Sequence, residues 1–284
     1  MRRLIVTADD FGLATQVNEA VEYAHLHGIL NTASLMVAAP GAADAIDRAR
    51  RLPKLRVGLH LVLVNGRPAL EPSRVPALVD GRGDFDRNLF NAGVRYFFHP
   101  QARRQLRAEI AEQFRRFAET GLVLDHLNAQ NHMHVHPTIL SIALDVGRQF
   151  GLRAVRVPRE PFVPSWRAGR TRFAARVANS YLLAPWIELM RARLRRAGIA
   201  FNDYIFGMID TGHMDAGLLH TLLSHLPEGV SEIYSHPATA AFAGADSANA
   251  DYRGELEALV DPKVIATLRS SNIQPVAFSE LSVA

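Results

Sequence analysis

Short apolar runs alternate with longer amphipathic segments along most of this chain, and this alternation limits its possible folds more than any other feature. It is typical of βα units that build a parallel sheet. The chain has 284 residues, enough to bury one large core. We therefore predict an α/β protein made of a single β/α barrel domain over residues 1–284, with about seven to eight parallel strands. The predicted strands are 4–8, 33–37, 57–64, 123–127, 154–157, 204–209, 232–234 and 276–278, and the predicted helices are 15–27, 41–52, 101–119, 138–150, 215–225 and 253–269.

Two segments do not follow the alternation. Residues 65–100 are rich in Gly, Pro and Asp, which predicts a long loop over the mouth of the barrel. Residues 161–200 are too long for one crossover, so we expect a helical insertion there. Long insertions in compact domains often serve function.

Composition restricts the compartment and the partners. The formal net charge is +4, and all but two of the 32 basic residues are Arg, the exceptions being Lys54 and Lys263. There is no Cys, which excludes disulfides and thiolate metal ligands and agrees with a reducing compartment. The apolar start at 4–8 is too short for a signal peptide, and no apolar stretch reaches the roughly 20 residues of a membrane span. We expect a cytoplasmic protein, with peripheral attachment to the inner face of the cytoplasmic membrane as an option.

Reactive side chains fall at the predicted strand ends. In a parallel barrel these ends meet on one face, where active sites form. Four of the 12 histidines also lie within the eleven residues from 126 to 136. The side chains concerned are Asp9 and Asp10 on the first strand, His60 on the third, His126, His132, His134 and His136 around the fourth, Arg156 on the fifth, Asp210 on the sixth and His236 on the seventh.

The adjacent carboxylates Asp9 and Asp10 are expected to have different roles. Neighbouring residues of a strand point to opposite sides. One carboxylate could then bind a metal while the other acts as a base. The alternative is that one of them caps the next helix or fixes the turn at Phe11 and Gly12.

The histidine cluster suggests a metal. His132, His134 and His136 share a face in extended backbone, whereas 132 and 136 do so in a helical turn. Either geometry supplies one or two imidazole ligands, and a loop of solvated histidines is the alternative. His126 is as well explained by a structural hydrogen bond.

His60 and His236 extend this argument. His60 interrupts a very apolar strand, and a buried imidazole needs a partner. Together with Asp10 and one histidine of the cluster it makes a set of two imidazoles and a carboxylate, which leaves positions open on a catalytic divalent metal. Such ligands permit Zn²⁺, Mn²⁺, Co²⁺ or Mg²⁺. His236, before Pro237, is expected to act in catalysis or touch the substrate.

These motifs resemble the YdjC-like carbohydrate deacetylase family. The matching segments are T-A-D-D-F-G at 7–12, G-L-H-L at 58–61, the histidine cluster ending at Pro137, and S-H-P at 235–237. They occur in the family's order across most of the chain. The N-H-M-H-V-H-P form resembles the hopanoid-biosynthesis-associated branch, which implies removal of the acetyl group from an N-acetylglucosaminyl hopanoid.

The resemblance also implies roles. It makes Asp9 the general base and Asp10 and His60 metal ligands, with Mg²⁺ as the metal. Asn131 or the pair Asn128 and Ala129 stands where the family's chitooligosaccharide-type pattern has Asp, and two residues are inserted there. Alignment on H-x-H-x-H selects His132 as the third ligand, whereas a shift of two selects His134. Independently of the resemblance, the mechanism of acetamide hydrolysis predicts that His236 protonates the leaving amine, and His134, His136 and Arg156 are predicted to contact the substrate.

The segment 161–200 bears on the substrate. From Trp166 to Arg196 it holds eight arginines against one acid, Glu188. Basic helices that carry Trp suit anionic membrane surfaces, so this segment predicts peripheral membrane contact and a glycolipid substrate. An ordinary helical hairpin with a solvated Arg face is the alternative. The predicted membrane-contacting residues are Trp166, Trp186, Arg191, Arg193, Arg195 and Arg196.

Several other functions compete with a deacetylase of hopanoid lipids. A deacetylase of soluble chitooligosaccharides, or a phosphoesterase, could use the same Asp and His set. A lipid- or sugar-binding protein without activity would not need two adjacent carboxylates. No nucleic-acid-binding motif accompanies the arginines. The sequence leaves the oligomeric state open, with a homodimer as one option.

Overall fold

A computed structural model of the chain describes residues 1–242 and 249–282. Within these ranges seven strands form one parallel sheet in the order β4-β3-β2-β1-β6-β5, with β7 paired to the start of β1. The strands are β1 (Arg2–Phe11), β2 (Thr32–Leu35), β3 (Arg56–Leu61), β4 (Leu124–Ala129), β5 (Tyr204–Phe206), β6 (Gly229–Ser235) and β7 (Ile273–Pro275).

Helices cover the outside of this sheet. The α-helices are α1 (Thr15–His27), α2 (Ala42–Arg51), α3 (Leu89–Phe98), α4 (Pro100–Glu119), α5 (Pro137–Gly147), α6 (Phe162–Gly169), α7 (Phe173–Leu182), α8 (Ala184–Ala197), α9 (Ala216–His225), α10 (Tyr252–Leu259) and α11 (Pro262–Ser270). Short 3₁₀ turns occupy Pro72–Arg74, Gln130–Val135, Arg148–Phe150 and Phe278–Glu280.

The parallel sheet curls into a half-barrel, which confirms the predicted α/β barrel architecture in this coarser form. Between β4 and β5 the chain makes only isolated parallel bridges, from Leu127 to Val155 and from Ala154 to Ala200. The predicted strand 154–157 is therefore a pair of bridging residues without a ladder of its own.

The core lies between the curled sheet and the helices. The central strand β1 is buried from Leu4 to Phe11, which explains the apolar run Leu4–Val6 at its start, because a parallel strand is covered on both faces. On α4 the buried residues Leu106, Ile110, Phe114 and Phe117 recur every three or four positions and place one helical face against the core.

Three predicted elements differ from the observed ones. The segment 65–100, expected to be a loop, contains α3. The predicted helix 253–269 is two helices, because Pro262 begins α11 after an Asp261 side chain that caps it. The last strand is Ile273–Pro275, and the predicted residues 276–278 follow it.

Exposed apolar side chains concentrate in two places. No helix in the described ranges is both long and apolar enough to cross a membrane. The α3 apolar surface consists of Leu89, Phe90, Val94, Phe97 and Phe98. The α6–α8 apolar surface consists of Val163, Phe173, Tyr181, Leu182, Leu183, Trp186 and Leu189.

Candidate active site

A cavity of about 310 Å³ opens at the carboxyl ends of the strands. Its wall includes residues from β1, β3, the turn after β4, and the end of β6. The reactive side chains on this wall are Asp9, Asp10, His60, His132, Tyr234 and His236. The apolar residue Leu89 of α3 and the polar residue Asn179 of α7 also line it.

A bulge turns both carboxylates of β1 toward this cavity. The pairing of β1 with β2 shifts register between Ala8 and Phe11, and Asp10 has a φ of 63°. Asp tolerates this left-handed conformation better than most residues. The expectation that Asp9 and Asp10 point to opposite sides was therefore wrong, although the two side chains do have different partners.

Asp9 is held by a buried arginine. Arg156 donates from Nη1 to Oδ2 at 2.5 Å and from Nη2 to Oδ1 at 2.9 Å. Asn128 donates a third hydrogen bond, to Oδ1 at 3.0 Å. Burial alone would raise the pKa of Asp9, but the positive charge and hydrogen bonds of Arg156 outweigh it and hold that pKa well below its usual range. Asp9 is thus a carboxylate ion that is fixed in place.

Arg156 does not line the cavity, which corrects its predicted role in substrate binding. Its side chain is fully buried, and Nε and Nη2 donate to the carboxylate of Glu232 on β6 at 2.7 to 3.1 Å. The guanidinium also packs over the ring of Tyr234, 4.8 Å from its centroid. Because four of its five N–H groups bond to these two carboxylates and its side chain has no exposed surface, Arg156 positions Asp9 and does not contact a sugar in the cavity.

His60 joins the two halves of the site. Its Nδ1 donates to Oδ1 of Asn128 at 2.8 Å, and its Nε2 lies 3.4 Å from Oδ1 of Asp10. Asn128 therefore orients both His60 and Asp9. Sequence reasoning missed Asn128 as an orienting residue, since its role depends on β4 lying beside β3, with Asn128 opposite His60.

The histidine cluster is neither extended nor a regular helical turn. Asn131 and His132 have φ values of 51° and 53°, which sends the three rings in different directions. His132 reaches the cavity, with Nε2 3.2 Å from the hydroxyl of Tyr234. Burial first, and then the charge of Arg156, lower the pKa of His132 to about 3, so its ring is neutral.

The other two histidines of the cluster lie off the cavity wall, which corrects their predicted contact with substrate. His134 is fully buried, and its Nε2 donates to the Arg156 carbonyl at 3.0 Å. That bond fixes the backbone from which the guanidinium extends. His136 is half-buried beside α3, with its ring 6.1 Å from that of Phe97.

His236 is a buried imidazole among carboxylates. Its backbone N–H donates to Glu255 of α10 at 2.5 Å, and its Nδ1 is buried without a hydrogen-bond partner. Burial lowers the pKa of His236, but the charges of Asp10, Glu255 and Asp9 outweigh it, and the net shift is upward. Tyr234, whose pKa is raised mainly by burial, also contacts the hydroxyl of Thr211 at 3.1 Å. Neither Tyr234 nor Glu255 was predicted.

The donor set fits one divalent cation. Within the described ranges no three His, Asp or Glu side chains are already gathered as tightly as a metal requires. Asp10 and His60 nevertheless form an adjacent oxygen and nitrogen pair, and neutral His132 keeps one buried nitrogen, Nδ1, without a partner. Metal ligation needs a neutral imidazole. The single guanidinium of Arg156 is shared by two carboxylates, Asp9 and Glu232, and Asp10 adds a third carboxylate to the site, which favours added positive charge.

Several predicted residues have structural roles in the segment 160–210. Arg191 is buried and pairs with Glu188 at 2.8 Å and with Asp203 at 3.5 Å, which corrects its predicted membrane contact. Asp210, expected at the site, instead accepts two bonds from the buried Arg176 of α7, at 2.6 and 2.8 Å.

The tryptophans and the remaining arginines are placed differently. Trp186 is 38% exposed, while its Nε1 donates to the Val135 carbonyl at 2.9 Å. Trp166 is half-buried, with its ring 5.2 Å from that of Phe173. Arg195 and Arg196 are exposed. Arg193 is half-buried and donates to Ser141 of α5 at 2.7 Å.

Known proteins are similar to this chain over nearly its whole length. A protein from Thermoanaerobacter pseudethanolicus named carbohydrate deacetylase is 28% identical over 99% of this chain and 100% of its own length. One of the same name from Vibrio vulnificus strain CMCP6 is 30% identical over 98% of this chain and 96% of its own. A crystal structure from Enterococcus faecalis V583, described as a candidate cellobiose-phosphate cleavage protein, has a TM-score of 0.76 at 23% identity and covers 99% of both chains, which shows a shared fold. The model of the YdjC-like protein family matches residues 3–270, a range that spans every strand end around the cavity, and the chain belongs to that family.

Proposed function

We propose that this protein is a metal-dependent deacetylase that hydrolyses the N-acetyl group of a substrate containing N-acetylglucosamine. The observation that carries the proposal is one cavity in which Asp10 faces His60 while the neighbouring Asp9 is held by Arg156. The first pair suits a cation and the second carboxylate suits proton transfer, and amide hydrolysis uses both. The relatives named carbohydrate deacetylase support an acetylated sugar as substrate.

Asp10, His60 and His132 would hold the cation. Family resemblance favours Mg²⁺, and mixed nitrogen and oxygen ligands also suit Zn²⁺, Mn²⁺ or Co²⁺. When bound, such a cation polarises the acetyl carbonyl and lowers the pKa of a coordinated water molecule.

Asp9 can then accept the proton of the attacking water. Its Oδ1 already accepts two hydrogen bonds, from Asn128 and Arg156, whereas its Oδ2 accepts one, from Arg156. A carboxylate oxygen has two lone pairs, so Oδ2 keeps one for water. Since Arg156 makes Asp9 a weak base, this carboxylate suits a water molecule that is already acidic.

His236 would supply the proton to the leaving amine. Among the buried histidines of the site its pKa is shifted upward, whereas the pKa values of His132 and His134 are shifted downward. A general acid must hold its proton near the operating pH, and a metal ligand must not. This difference separates the roles of residues of the same type.

A glycolipid, specifically an N-acetylglucosaminyl hopanoid, is the proposed substrate. Leu89 of the α3 apolar surface lines the cavity, and α7, the helix that carries part of the α6–α8 apolar surface, contributes the polar Asn179 to the wall. A sugar in the cavity would place an attached polycyclic lipid between these surfaces, where apolar contact is favourable. A soluble chitooligosaccharide would gain little from them.

A phosphoesterase is less well supported by the cavity. None of its described lining residues is Lys or Arg, and Arg156 is committed to two carboxylates. Phosphoryl transfer relies on such cations to stabilise the equatorial oxygens. A binding protein without activity gives no reason for the fixed Asp9 ion beside Asp10.

The test compares two variants for metal content and for acetate release from a soluble N-acetylglucosaminide. His60→Ala should lose both, because it removes a cation ligand. Asp9→Asn should keep the metal but lower turnover by about two to four orders of magnitude, the usual worth of a general base. His27→Ala, on the exposed end of α1, is the matched control and should change neither quantity.

Three results would contradict parts of this proposal. Full metal content in His60→Ala would remove His60 from the metal site. Near-normal turnover in Asp9→Asn would assign the proton to another group. Release of phosphate from phosphorylated sugars by the wild type, without release of acetate from acetylated ones, would replace the deacetylase by a phosphoesterase.

A further inference from the structure

A second groove, of about 570 Å³, lies on the flank of the molecule between α4, α5 and α8. We call it the arginine groove. It is lined by Phe97, Arg103, Arg104, Arg107, Ser141 and Arg193, together with Pro100, Pro137, Thr138 and Ile142. No residue of the proposed catalytic set reaches it.

The groove carries unbalanced positive charge. Arg103 and Arg104 are exposed and form no ion pair within the described part of the chain, while Arg107 pairs with Asp145. An adjoining groove adds Arg148 and Arg196, and Asp145 is the sole acid among the described residues that line the two. One arginine guanidinium can bind two phosphate oxygens through two parallel N–H···O hydrogen bonds. This wall therefore suits a phosphate anion.

Apolar side chains border the charged wall on both sides. Phe97 belongs to the groove and to the α3 apolar surface, and it is 43% exposed. On α8, Leu189 lies one turn before Arg193 and is 61% exposed, so the α6–α8 apolar surface meets the groove along the same helical face. Pro137, the first residue of α5, comes two residues after the end of the turn that carries His132. The groove thus begins at the same end of the sheet as the cavity.

We propose that the arginine groove binds the phosphodiester headgroup of an anionic phospholipid and that this flank docks on a bilayer. Charge and apolar surface together fit this occupant: the arginines meet the phosphates and the flanking phenylalanines and leucines enter the interfacial zone. A nucleic acid would meet the same arginines but would leave the apolar borders exposed to water. The inference rests on the proposed glycolipid substrate for its purpose, since docking would bring the cavity to a substrate embedded in lipid.

The test measures sedimentation of the full chain with vesicles of phosphatidylglycerol and phosphatidylcholine, and with phosphatidylcholine alone. Wild type should bind the anionic vesicles, bind the neutral ones weakly, and be released as salt rises, because the attraction decays over roughly 10 Å at 0.1 M ionic strength. Arg103→Gln with Arg104→Gln should weaken binding by roughly tenfold to thirtyfold, since each basic residue near an anionic membrane surface strengthens binding by about fivefold. The control is Arg2→Gln with Arg56→Gln, two exposed arginines that begin β1 and β3 at the amino end of the sheet, away from the cavity, with the same change in charge.

Each outcome decides the proposal. Equal binding to neutral vesicles, or equal weakening by both double variants, would overturn it, because binding would then not depend on this groove. Thermal unfolding of each variant checks that the fold is retained. Acetate release from a soluble sugar by the wild type is measured separately. If no acetate is released but vesicle binding depends on the arginine groove, the proposed function is contradicted and the docking surface is still supported.

Discussion

Arg156 has no exposed surface, and its guanidinium is shared between two carboxylates, Asp9 on β1 and Glu232 on β6. Removing three charges from water is costly, and only close hydrogen bonding compensates for it. Thr7 adds to this by donating to Glu232 at 2.7 Å. The arrangement holds the Asp9 carboxylate in position at the cavity. The free energy spent on burying three charged groups thus keeps the site in a fixed geometry.

Glu232→Gln should therefore destabilise the fold by about 3 to 5 kcal/mol, the cost of breaking a buried pair. The amide cannot balance the guanidinium, although its shape is nearly the same. Urea unfolding followed by circular dichroism measures the loss. Glu257→Gln is the control, because its pair with Arg253 is solvent-exposed and such pairs contribute little. Equal effects of both substitutions would show that the Arg156 cluster carries no special stability.

Strand-end reasoning brought several reactive side chains to one cavity, namely Asp9, Asp10, His60, His132 and His236. It could not identify Glu232 or Asn128, because these depend on which strands become neighbours, and sequence order does not give that. The histidine cluster was ambiguous for a different reason. Left-handed backbone at Asn131 and His132 breaks both the period of a strand and that of a helix.

At the level of elements, side chains of α4 form hydrogen bonds to the backbone of the irregular segment 62–70, which follows β3. Glu109 is buried on α4 and accepts the backbone N–H groups of Ala69 at 2.7 Å and Leu70 at 3.0 Å. Gln113, one turn later, donates to Glu109 and to the Val62 carbonyl, both at 2.8 Å. Side chains, and not a neighbouring strand, thus supply the hydrogen-bond partners that the buried backbone N–H and C=O groups of this segment require.

Burial raises the pKa of Glu109 despite these hydrogen bonds. The folded state therefore holds this proton more tightly than the unfolded state, and the associated stability is present below the unfolded pKa of about 4.3 and lost as pH rises through the folded pKa. The free energy of unfolding of wild type minus that of Glu109→Gln should fall as pH increases from 4 toward neutrality. Urea denaturation at several pH values measures this difference, in which other carboxylates cancel. A difference that rises with pH would mean that the ion is favoured.

The pattern of short apolar runs predicted the parallel sheet but not the places where its strand pairing is interrupted. Around Ala154 the chain is apolar enough for a strand, yet it meets its neighbours at single bridges, since strand pairing depends on distant segments arriving in register. Helix α3 was not predicted for a different reason, which is local and does not involve distant segments. Its Asn88 side chain caps the helix by accepting from Asn91, whereas the Gly and Pro residues before it dominate the local composition.

For the whole molecule, apolar exposure is distributed unevenly. The α3 and α6–α8 apolar surfaces come from segments widely separated in the chain. Leu89 of the first surface lines the cavity, and α7, which carries part of the second, contributes Asn179 to the cavity wall. Exposed apolar side chains scattered singly need no explanation, but grouped ones indicate an interaction site. Their position at the mouth connects this exposure to the substrate.

Phe90→Ser with Leu182→Ser should therefore lower kcat/KM for an N-acetylglucosaminyl lipid in mixed micelles. These side chains are 77% and 78% exposed, so the change should leave folding intact while it removes apolar contact with the lipid. Burial of one such side chain is worth about 1.5 to 3 kcal/mol, which permits a loss of at least tenfold. Activity on a soluble N-acetylglucosaminide should be retained, because neither side chain lines the cavity.

The matched control is Leu26→Ser with Val123→Ser, which alters apolar residues that are 57% and 83% exposed and lie outside both surfaces. It should leave both activities unchanged. If the Phe90 and Leu182 variant hydrolysed the lipid as fast as wild type, the apolar surfaces would not contact the substrate. A soluble oligosaccharide would then fit the cavity better than a glycolipid, because polar side chains that suit a sugar, such as Asn131, Asn179 and Tyr234, line the cavity itself.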